Sequence, residues 1–501
     1  MADDAKLEEQ AGGAEQTLDF SEYTGQLEEA FRLDDAEKAS FQKMLGTLAR
    51  LAMDESGKSA VSSNAKKAVK ELIAGIDTLL TAQMNEVLHA PEITRLEGAW
   101  RGLNYLVKNT STSEKLKIRV MSIKKEELGE TLADFEGENE YMTSPIFRKL
   151  YTEEYSQFGG EPYGCILGDY EFDHNATDVQ LLRNMAKVSA SAHAPFFAAA
   201  GPKLFRMNTW EELPNPQDLE KIVSNAAYAT WNGFREKDEA KYIGLTMPRV
   251  LSRLPYSEED GRVKGFRFNE EIEGQHENYV WMNAAYALGV NINRSQNENG
   301  FATQIRGVEG GGTVIDLPVH AFSTDDGGIG MKCPTEVAID DEREGELSAL
   351  GMIPLLHRKH TDNAAFLGIM SLQNAEKLAG QYADMEAASN IRLSANIAYL
   401  MPVTRFAHYL KAIARDKVGT FKERSDMQEF LQKWISLYVA PPLATDAEKA
   451  RAPLAEAEVE VSSVEGRPGY YDAKFSLRPL FFLEGLKSKL SLVSTLPSKR
   501  G

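Results

Sequence analysis

Histidines at metal-ligand spacing are the first candidates for chemistry in this chain. His357 and His360 lie three residues apart and Asp362 follows closely, a spacing that could hold a metal ion. A zinc site needs three or four ligands, and the other histidines are scattered along the chain. The segment is therefore predicted to be a surface loop, and no metal site is expected.

Glycine-rich segments that could cradle a phosphate form the second group of candidates. SGKS at residues 56–59 resembles the end of a phosphate-binding loop, but Ala52 stands where the motif requires its first glycine. GVEGGG (307–312) and DDGGIG (325–330) lack the GxGxxG spacing and are predicted to be turns. HExxH and GxSxG do not occur in the sequence. The motifs therefore indicate no enzyme class and no cofactor.

The charge of the chain is strongly acidic. Its 501 residues include 56 Lys and Arg against 75 Asp and Glu, a formal net charge of −19. Residues 1–38 hold twelve acidic and three basic side chains, and so carry nearly half of that charge. Because such a surface repels nucleic acid and anionic lipid, we expect no nucleic-acid partner.

Cysteine usage and the length of apolar runs indicate a compartment. Neither Cys165 nor Cys333 lies in a CxxC motif, which excludes a disulfide framework. The first residues lack the basic and apolar regions of a secretory signal, and no run of about eighteen apolar residues occurs. The sequence therefore predicts a soluble protein of the reducing cytoplasm without membrane insertion.

An acidic arm is predicted at the N-terminus. Residues 1–18 have the composition of disordered chain, and a short amphipathic helix is predicted to begin at Asp19. Four large apolar side chains would share one face of this helix: Phe20, Tyr23, Leu27 and Phe31. A helix of this kind on a flexible arm suits a groove in a partner protein.

The elements of a larger body follow the arm. Helical spacing of apolar residues predicts helices in residues 41–51, 69–88, 95–107, 178–193 and 391–438. Alternating or continuous apolar runs predict strands in residues 115–123, 163–172 and 313–322. Because helices and strands alternate through the middle of the chain, the fold class is predicted to be α/β, of the mixed α+β kind.

Three strand-like segments close the chain. They span residues 456–464, 470–480 and 486–496, and the first two are predicted to form a hairpin. A three-stranded sheet leaves open edges, which proteins cover or pair. The strands therefore either pack on the body as a small sheet, which the residues alone favour, or are completed by a strand of another chain.

An acidic segment, TEVAIDDEREGEL, spans residues 335–347. If it is helical, its carboxylates include Glu336, Asp340, Asp341 and Glu344. Such a run is usually a solvated face, and the alternative is contact with a complementary surface.

Several longer stretches carry a resemblance to a known family. They are RLEGAWRGLNYLV (95–107), SPIFRKLYTEEYSQFGGEPYGCILGDYEF (144–172), KYIGLTMPRVLSRLPY (241–256), NINRS (291–295), DLPVHAFSTDDGGIGMKCPTE (316–336), RFAHYLKAIARDKVGTF (405–421) and GYYDAKFSLRPLFFLEGLKSKLSLVSTLP (469–497). Together they resemble the large sheath subunit of bacterial type VI secretion systems, the VipB/TssC/EvpB family. The resemblance is collinear from about residue 66 to the end, whereas residues 1–40 match only as an acidic arm.

The resemblance implies a structural assembly protein of the bacterial cytoplasm rather than an enzyme. The family's large subunit pairs with a small sheath subunit of the VipA/TssB kind. The heterodimers polymerise with neighbouring copies from a baseplate, around an inner tube of hexamers, and contract to eject that tube. An AAA+ ATPase of the ClpV kind then recycles the contracted sheath.

The resemblance also implies a division of the chain into four regions. Residues 1–40 would be the arm, 41–110 a helical region that pairs with the small subunit, 111–440 the α/β sheath body, and 441–501 interlocking strands. The small C-terminal sheet would then be completed by neighbouring subunits.

Three sets of residues receive roles from the resemblance. The inter-subunit strands would bury Val459, Val461, Phe475, Leu477, Leu490 and Leu492. The recycling ATPase would bind the arm helix through Phe20, Tyr23, Leu27 and Phe31. The inner tube would face Glu336, Asp340, Asp341 and Glu344. Two alternatives stay open: a soluble cytoplasmic α/β enzyme with a deep pocket of titratable groups, and a phage-type sheath that assembles without a second subunit.

Overall fold

The structure of the chain is a computed structural model. It describes residue 43 and residues 65–494, apart from residues 136, 138–139, 158, 216–217, 258–265, 267, 273–274, 324–326, 383, 418–423, 464–470 and 481–489. Two compact units divide the chain: residues 1–90 with 255–273, and residues 91–254 with 274–501.

One long helix, α1 (Ala65–Leu88), dominates the described part of the first unit. Its sequence is rich in Ala, Leu, Lys and Glu, which favour helix, and Pro91 follows its end. The end of α1 is tied to the second segment of the same unit. The Asn85 side chain accepts a hydrogen bond from the Glu271 N–H at 3.4 Å, and the His89 imidazole lies 3.4 Å from the Glu270 carboxylate.

The second unit holds the strands. In chain order they are β1 (Ile166–Phe172), β2 (Phe196–Ala200), β3 (Ile243–Met247), β4 (Val250–Leu251), β5 (Trp281–Met282), β6 (Thr313–Val314), β7 (Ala321–Ser323), β8 (Ile329–Met331), β9 (Met352–His357), β10 (Ala364–Phe366), β11 (Leu454–Ser463), β12 (Tyr471–Pro479) and β13 (Leu490–Ser494).

The helices of the second unit alternate with these strands. They are α2 (Pro91–Lys108), α3 (Lys125–Ala133), α4 (Ala176–Ala192), α5 (Leu219–Val223), α6 (Ala229–Arg235), α7 (Ala284–Asn299), α8 (Asp341–Ala349), α9 (Ala375–Ala379), α10 (Met385–Ser394), α11 (Ile397–Lys417), α12 (Arg424–Ser436) and α13 (Asp446–Arg451). Shorter helical segments include Pro145–Phe147, Arg148–Thr152 and Glu153–Ser156.

The main sheet has the order β1-β2-β3-β9-β10-β6. Its first four strands are parallel, and β10 and β6 continue it antiparallel. Neighbouring side chains of β2 enter different cores: Phe196 packs in the core that includes Val179 and Met185 of α4, and Phe197 packs in the core that includes Leu288 of α7. The sheet is therefore buried on both faces, as expected for parallel strands with helices on either side.

Smaller sheets accompany the main one. β4 pairs with β5 and β7 pairs with β8, both antiparallel. The C-terminal sheet has the order β11-β12-β13, and both of its pairings are antiparallel.

Most of the predicted elements are confirmed. The predicted helices at 69–88, 95–107 and 178–193 correspond to α1, α2 and α4, and the strand at 163–172 corresponds to β1. The helical region at 391–438 holds α11, α12 and the second half of α10. The three C-terminal strands and their hairpin are present, and the mixed α/β fold class is confirmed.

Two predicted strands are corrected. Residues 117–124 do not form a strand, and Val120 is 66% exposed. The alternation there reflects ion pairs of Lys117 with Glu161 and of Arg119 with Glu154, not pairing with another strand. Of the strand predicted at 313–322, only the two ends form strands: β6 and the start of β7. The helices predicted at 19–33 and 41–51 lie outside the described residues, except for residue 43.

Candidate functional site: the C-terminal sheet and nearby surfaces

The C-terminal sheet presents its apolar side chains on one face. Val459 and Val461 of β11 and Phe475 and Leu477 of β12 are all buried, each at most 2% exposed. They pack in one core with side chains of α11 and α12, among them Phe406 and Leu431. The chain therefore covers this face with its own helices, and a neighbouring chain could reach the sheet only along its edges or on its polar face.

The polar face of the sheet carries charge. Glu456, Glu458 and Glu460 of β11 alternate with the buried residues and are exposed. The Glu456 carboxylate lies 2.9 Å from the Arg478 guanidinium, and Glu460 stands opposite Lys474 in the register. Cross-strand pairs of opposite charge stabilise this face only modestly because they remain in water.

Gln432 on α12 occupies the outer edge of β11. Its Nε2 donates a hydrogen bond to the Ala457 carbonyl, and its Oε1 accepts one from the Val459 N–H, both at 2.9 Å. This carboxamide stands where the backbone of a further strand would lie. In an antiparallel pair, the N–H and C=O of one residue point to the same side of the strand. Since Gln432 binds the Ala457 carbonyl and the Val459 N–H, the backbone groups of both residues point away from β12.

The register then identifies the outward groups of β13. Since Val459 faces away from β12, its partner Phe475 directs its backbone groups toward β13, where it pairs with Leu492. Ser491 and Val493, on either side of Leu492, therefore direct their N–H and C=O groups away from β12. Within the described ranges, no strand pairs with this edge of β13.

The two remaining residues of the predicted interface, Leu490 and Leu492, belong to β13. Their backbones pair with Leu477 and Phe475. The structure thus brings all six predicted strand residues into one sheet, four of them with buried side chains.

Helix α11 joins this sheet to the main body. One face of α11 contributes Val403, Phe406 and Leu410 to the C-terminal core, which also includes Phe301 from the loop after α7. The Phe301 and Phe406 rings lie 4.8 Å apart. Movement of the C-terminal sheet therefore acts directly on the body through these contacts.

The other face of α11 makes a buried polar contact with the end of α4. His408 Nε2 lies 3.0 Å from the Ala192 carbonyl oxygen at the end of α4, and the Tyr155 hydroxyl donates to the same oxygen at 2.8 Å. A carbonyl oxygen only accepts, so Nε2 of His408 carries the hydrogen. This contact fixes α11 to α4, and the His408 side chain is buried there.

Burial lowers the pKa of His408 to about 3, and the positive charges of Arg405 and Lys411 act in the same direction. Burial also lowers the pKa of Lys411, to about 8. His408 is therefore neutral at physiological pH, and a proton there would remain unsolvated.

Glu336 is held inside the protein. Its side chain is 1% exposed and accepts hydrogen bonds from the Arg249 guanidinium at 2.6 Å and the Arg249 N–H at 3.0 Å. Its Oε1 also lies 3.2 Å from His276 Nε2. Burial raises the pKa of Glu336, but the charge of Arg249 and these hydrogen bonds outweigh burial and lower it to about 2. The Glu336 carboxylate therefore does not reach the surface of the chain, and its predicted contact with an inner tube stays a prediction.

The other acidic residues of that segment lie at the start of α8. Asp340 caps the helix by accepting from the Arg343 N–H at 2.8 Å, and Asp341 and Glu344 lie in the first turn. Carboxylates at this position complement the helix dipole, which gives them a structural role as well. Asp340 and Asp341 are exposed, whereas Glu344 is partly buried and accepts from the Ser348 hydroxyl at 2.8 Å.

Two helices carry exposed apolar stripes. On α1 the stripe consists of Ile73, Leu80, Met84 and Val87, and on α2 it consists of Ile93, Leu96, Trp100 and Val107. Trp100 is 66% exposed. The opposite face of α2 approaches β5 and α7 so closely that only glycine fits at Gly98 and Gly102: an added Cβ would lie 2.3 Å from the Trp281 carbonyl oxygen or the Tyr286 ring. Contiguous apolar surface of this kind is typical of an interaction site.

The body also contains a cleft of the size that an enzyme would require. A cleft of about 910 Å³ is lined by Cys165, Arg405 and His408, among other residues. Burial raises the pKa of the Cys165 thiol to about 12, so that the thiolate is scarce at neutral pH. Cys165, the cysteine that lines this cleft, is therefore not an activated nucleophile. In the part of the chain that the structure describes, no three metal-ligating side chains cluster, and no helix is long and apolar enough to cross a membrane.

The arm residues Phe20, Tyr23, Leu27 and Phe31 lie outside the described residues. Their predicted role in binding a recycling ATPase stays a prediction.

Comparison with known proteins identifies the class of protein that this fold belongs to. Residues 70–373 match the EvpB-type tail sheath N-terminal domain, VipB, and residues 386–496 match the tail sheath gpW/gp25-like domain of the same family. The chain is 50% identical over 494 residues to the type VI secretion system sheath protein TssC1 of Pseudomonas aeruginosa strain PAO1, with 98% of each chain covered. These matches are to tail sheath domains and to a sheath protein of a type VI secretion system. The chain therefore belongs to the VipB/EvpB family of type VI secretion sheath proteins, and it is the structural large subunit of such a sheath.

Proposed function

We propose that the chain pairs with a small sheath subunit of the VipA/TssB kind, and that these heterodimers polymerise around an inner tube and contract to eject it. The observation that carries this proposal is the C-terminal sheet. Its apolar face is fixed on the chain's own helices, while the outward backbone groups of Ser491 and Val493 on β13 pair with no strand of the described residues.

The mechanical role explains why the sheet is built in this way. A strand that joins an edge forms several main-chain hydrogen bonds in a fixed register, and these hold while subunits rotate relative to one another. Because Val459 and Phe475 bind the sheet to α11 and α12 inside one chain, tension at the shared edge is transmitted to the whole subunit. The energy of contraction then resides in the packing between subunits, and the chain acts without a cofactor or a catalytic site of its own.

The apolar stripes on α1 and α2 favour the small subunit as the partner of the region at residues 41–110. Each stripe follows helical spacing and includes side chains that are about half exposed or more, such as Val87 and Trp100. Helices that bury such stripes against a partner's helices gain roughly 25 cal/mol for each Å² of apolar surface removed from water.

Further partners follow from membership of the family. We infer that assembly begins on a baseplate in the bacterial cytoplasm, that neighbouring copies extend the polymer, and that Asp340, Asp341 and Glu344 face the inner tube. We also infer that an AAA+ ATPase of the ClpV kind binds the N-terminal arm, and that neither nucleic acid nor membrane insertion is involved. Replacing Leu27 and Phe31 by Asp should abolish ATPase binding and spare assembly, whereas undiminished binding would refute that site.

Strand addition at the edge of β13 can be tested through the backbone N–H groups of this strand. The full-length chain is co-expressed with the small subunit, and assemblies are counted by negative-stain electron microscopy. We expect hollow tubes that disappear when either chain is omitted, and also with S491P or V493P, because proline removes an outward N–H and keeps the bonds to β12. S491A retains the N–H and should assemble normally. Normal tubes from both proline variants would exclude strand addition at this edge. Tubes from the large subunit alone would favour a phage-type sheath.

A further inference from the structure

The cleft of about 910 Å³ in the second unit carries an excess of positive charge. Its lining includes five Lys and Arg side chains against two Glu, although the whole chain has a formal net charge of −19. Its volume lies within the range of about 300–1,000 Å³ that is usual for ligand sites. The cleft is therefore a basic site on an acidic chain, and the contacts proposed for assembly do not use it.

Two of the five cations already have carboxylate partners. Lys117 and Arg119 both form ion pairs with Glu161, on one wall of the cleft. The other three form no ion pair within the part of the chain that the structure describes: Lys115, Arg405 and Arg451. The positive charge of these three side chains is thus available to an anionic group from another molecule.

Arg405 of α11 is half-buried, whereas the other two unpaired cations are exposed. Its Nη1 lies 3.4 Å from the Pro162 carbonyl oxygen and 3.4 Å from His408 Nδ1. The guanidinium carbon lies 4.7 Å from the centre of the Tyr409 ring. The Nε of Arg405 is buried and has no hydrogen-bond partner among the described residues. Because a buried donor of a charged group is costly without an acceptor, a carboxylate at this position stabilises the site.

The cleft also offers apolar surface beside these cations. The side chains of Leu116, Tyr409 and Tyr438 line it and are half-buried. An inorganic anion contacts only the cations, whereas a peptide segment with carboxylates and large apolar side chains contacts both parts of the lining. The lining therefore favours an acidic, partly apolar segment of protein.

The N-terminal arm of the chain has this composition. Residues 1–38 hold twelve acidic and three basic side chains, and they lie outside the described residues. Their large apolar side chains include Phe20, Tyr23, Leu27 and Phe31. Arm and cleft are different segments of one chain, so a contact between the arm of one copy and the cleft of the next is head-to-tail. Head-to-tail contacts that do not close into a ring generate open helical polymers.

We propose that the cleft is a docking site for the acidic N-terminal arm of a neighbouring copy of this chain. Lys115, Arg405 and Arg451 pair with carboxylates of the arm, and Tyr409 and Tyr438 pack against its apolar side chains. This contact rests on the proposed assembly of the chain into a polymer, and it gives that polymer a link between copies that is separate from the C-terminal sheet.

The first test measures the binding of a fluorescent peptide of residues 1–38 to the full-length chain by anisotropy. Binding should weaken as NaCl rises from about 0.1 M to about 1 M, because the screening length falls from about 10 Å to about 3 Å. The double variant K115Q/R451Q replaces exposed side chains and should weaken binding roughly tenfold when combined with R405Q. R183Q changes an exposed arginine of α4 outside the cleft and should bind like wild type. A peptide with Asn and Gln in place of Asp and Glu should not bind.

The second test locates the contact in tubes formed with the small subunit. A carbodiimide joins amines to carboxylates, and mass spectrometry should find Lys115 joined to a carboxylate of residues 1–38. A denaturing gel should show this product as a covalent dimer, because the arm comes from another copy. K115R keeps the charge and lacks a reactive amine, so its tubes should form normally and the Lys115 cross-link should be lost.

Each result bears on one part of the proposal. Docking in the cleft is overturned if the triple variant K115Q/R405Q/R451Q binds the peptide as tightly as wild type. The neighbouring copy is overturned as the source of the arm if tubes form and the Lys115 cross-link is absent or occurs only within monomers. If the wild-type chains form no tubes, the proposed assembly fails instead, and the peptide titration still decides whether the cleft binds the arm.

Discussion

The buried His408 should make the folded chain less stable at mildly acidic pH, because the unfolded chain can protonate this histidine and the folded chain cannot. The folded-state pKa is about 3, whereas an exposed histidine titrates near 6.5. Below pH 6.5 the unfolded chain takes up a proton that the folded chain does not, so stability is complete above that pH and falls as the pH drops toward 3. At pH 5.5, one unit below the unfolded value, His408 alone should lower the free energy of unfolding by about 1.4 kcal/mol relative to pH 7.5.

The variant H408Q isolates this contribution. A glutamine amide can still donate to the Ala192 carbonyl, but it has no proton to gain in this pH range. The free energy of unfolding is measured by guanidinium denaturation of the full-length chain at both pH values, with tryptophan fluorescence as the signal. Between pH 7.5 and pH 5.5, the free energy of unfolding of the wild type should fall by about 1.4 kcal/mol more than that of H408Q. H360Q, a change at an exposed histidine, should show no such effect.

A constant difference between wild type and H408Q at the two pH values would refute this reasoning. It would mean that His408 is solvated enough to titrate normally in the folded chain. The neighbouring His193, whose pKa burial also lowers, cannot mimic the effect, because it is present in both proteins. The rings of His193 and His408 lie 6.3 Å apart, so their titrations are coupled. The full dependence of the free energy of unfolding on pH therefore disappears only when both histidines are replaced.

Three further substitutions test the packing around the site. R249L leaves the Glu336 carboxylate buried without its cation and should cost about 3–5 kcal/mol in thermal unfolding, most of it recovered when Glu336 is also replaced by Leu. G98A places a Cβ 2.3 Å from a backbone carbonyl and should cost about 1–3 kcal/mol, whereas G129A, in open space on α3, should be neutral or stabilising in the same assay. F475A opens a cavity in the C-terminal core and should cost about 3–5 kcal/mol, and electron microscopy should find no tubes.

The sequence predicts elements reliably wherever side-chain period and burial agree. Helix α1 and strand β1 have strong apolar patterns, and both are where the pattern places them. Residues 115–123 have a pattern of equal clarity, yet no strand pairs with them. Alternation shows that a segment has two chemically different faces, but strand formation also needs a partner with free backbone groups, and this long-range condition is not visible in a local window.

The residues that sequence reasoning missed are polar groups whose meaning depends on a distant partner. Gln432 is one polar residue among several on α12, and only the register of β11 reveals that its amide takes the place of a strand. His408 stands in a helical segment with ordinary polar neighbours, and only the end of α4 explains it. Conversely, the acidic neighbours of Glu336 in the sequence predict a surface position, while in the fold its carboxylate lies beside Arg249.

The two faces of α11 explain how the C-terminal sheet and the main sheet of the second unit can respond to a load together. Phe406 and Leu410 hold the C-terminal sheet, and His408 holds the end of α4, so a load on the sheet is resisted by both contacts at once. Apolar packing is non-directional and tolerates small sliding, whereas a buried hydrogen bond between two fixed groups resists it. The apolar contacts therefore supply most of the stabilising free energy, and the buried hydrogen bond of His408 helps to fix the register between the sheet and the body, together with the bond from the Arg306 guanidinium to the Tyr399 hydroxyl. The proposed contraction requires subunits of this kind, because any slack inside the subunit would absorb the movement of the lattice.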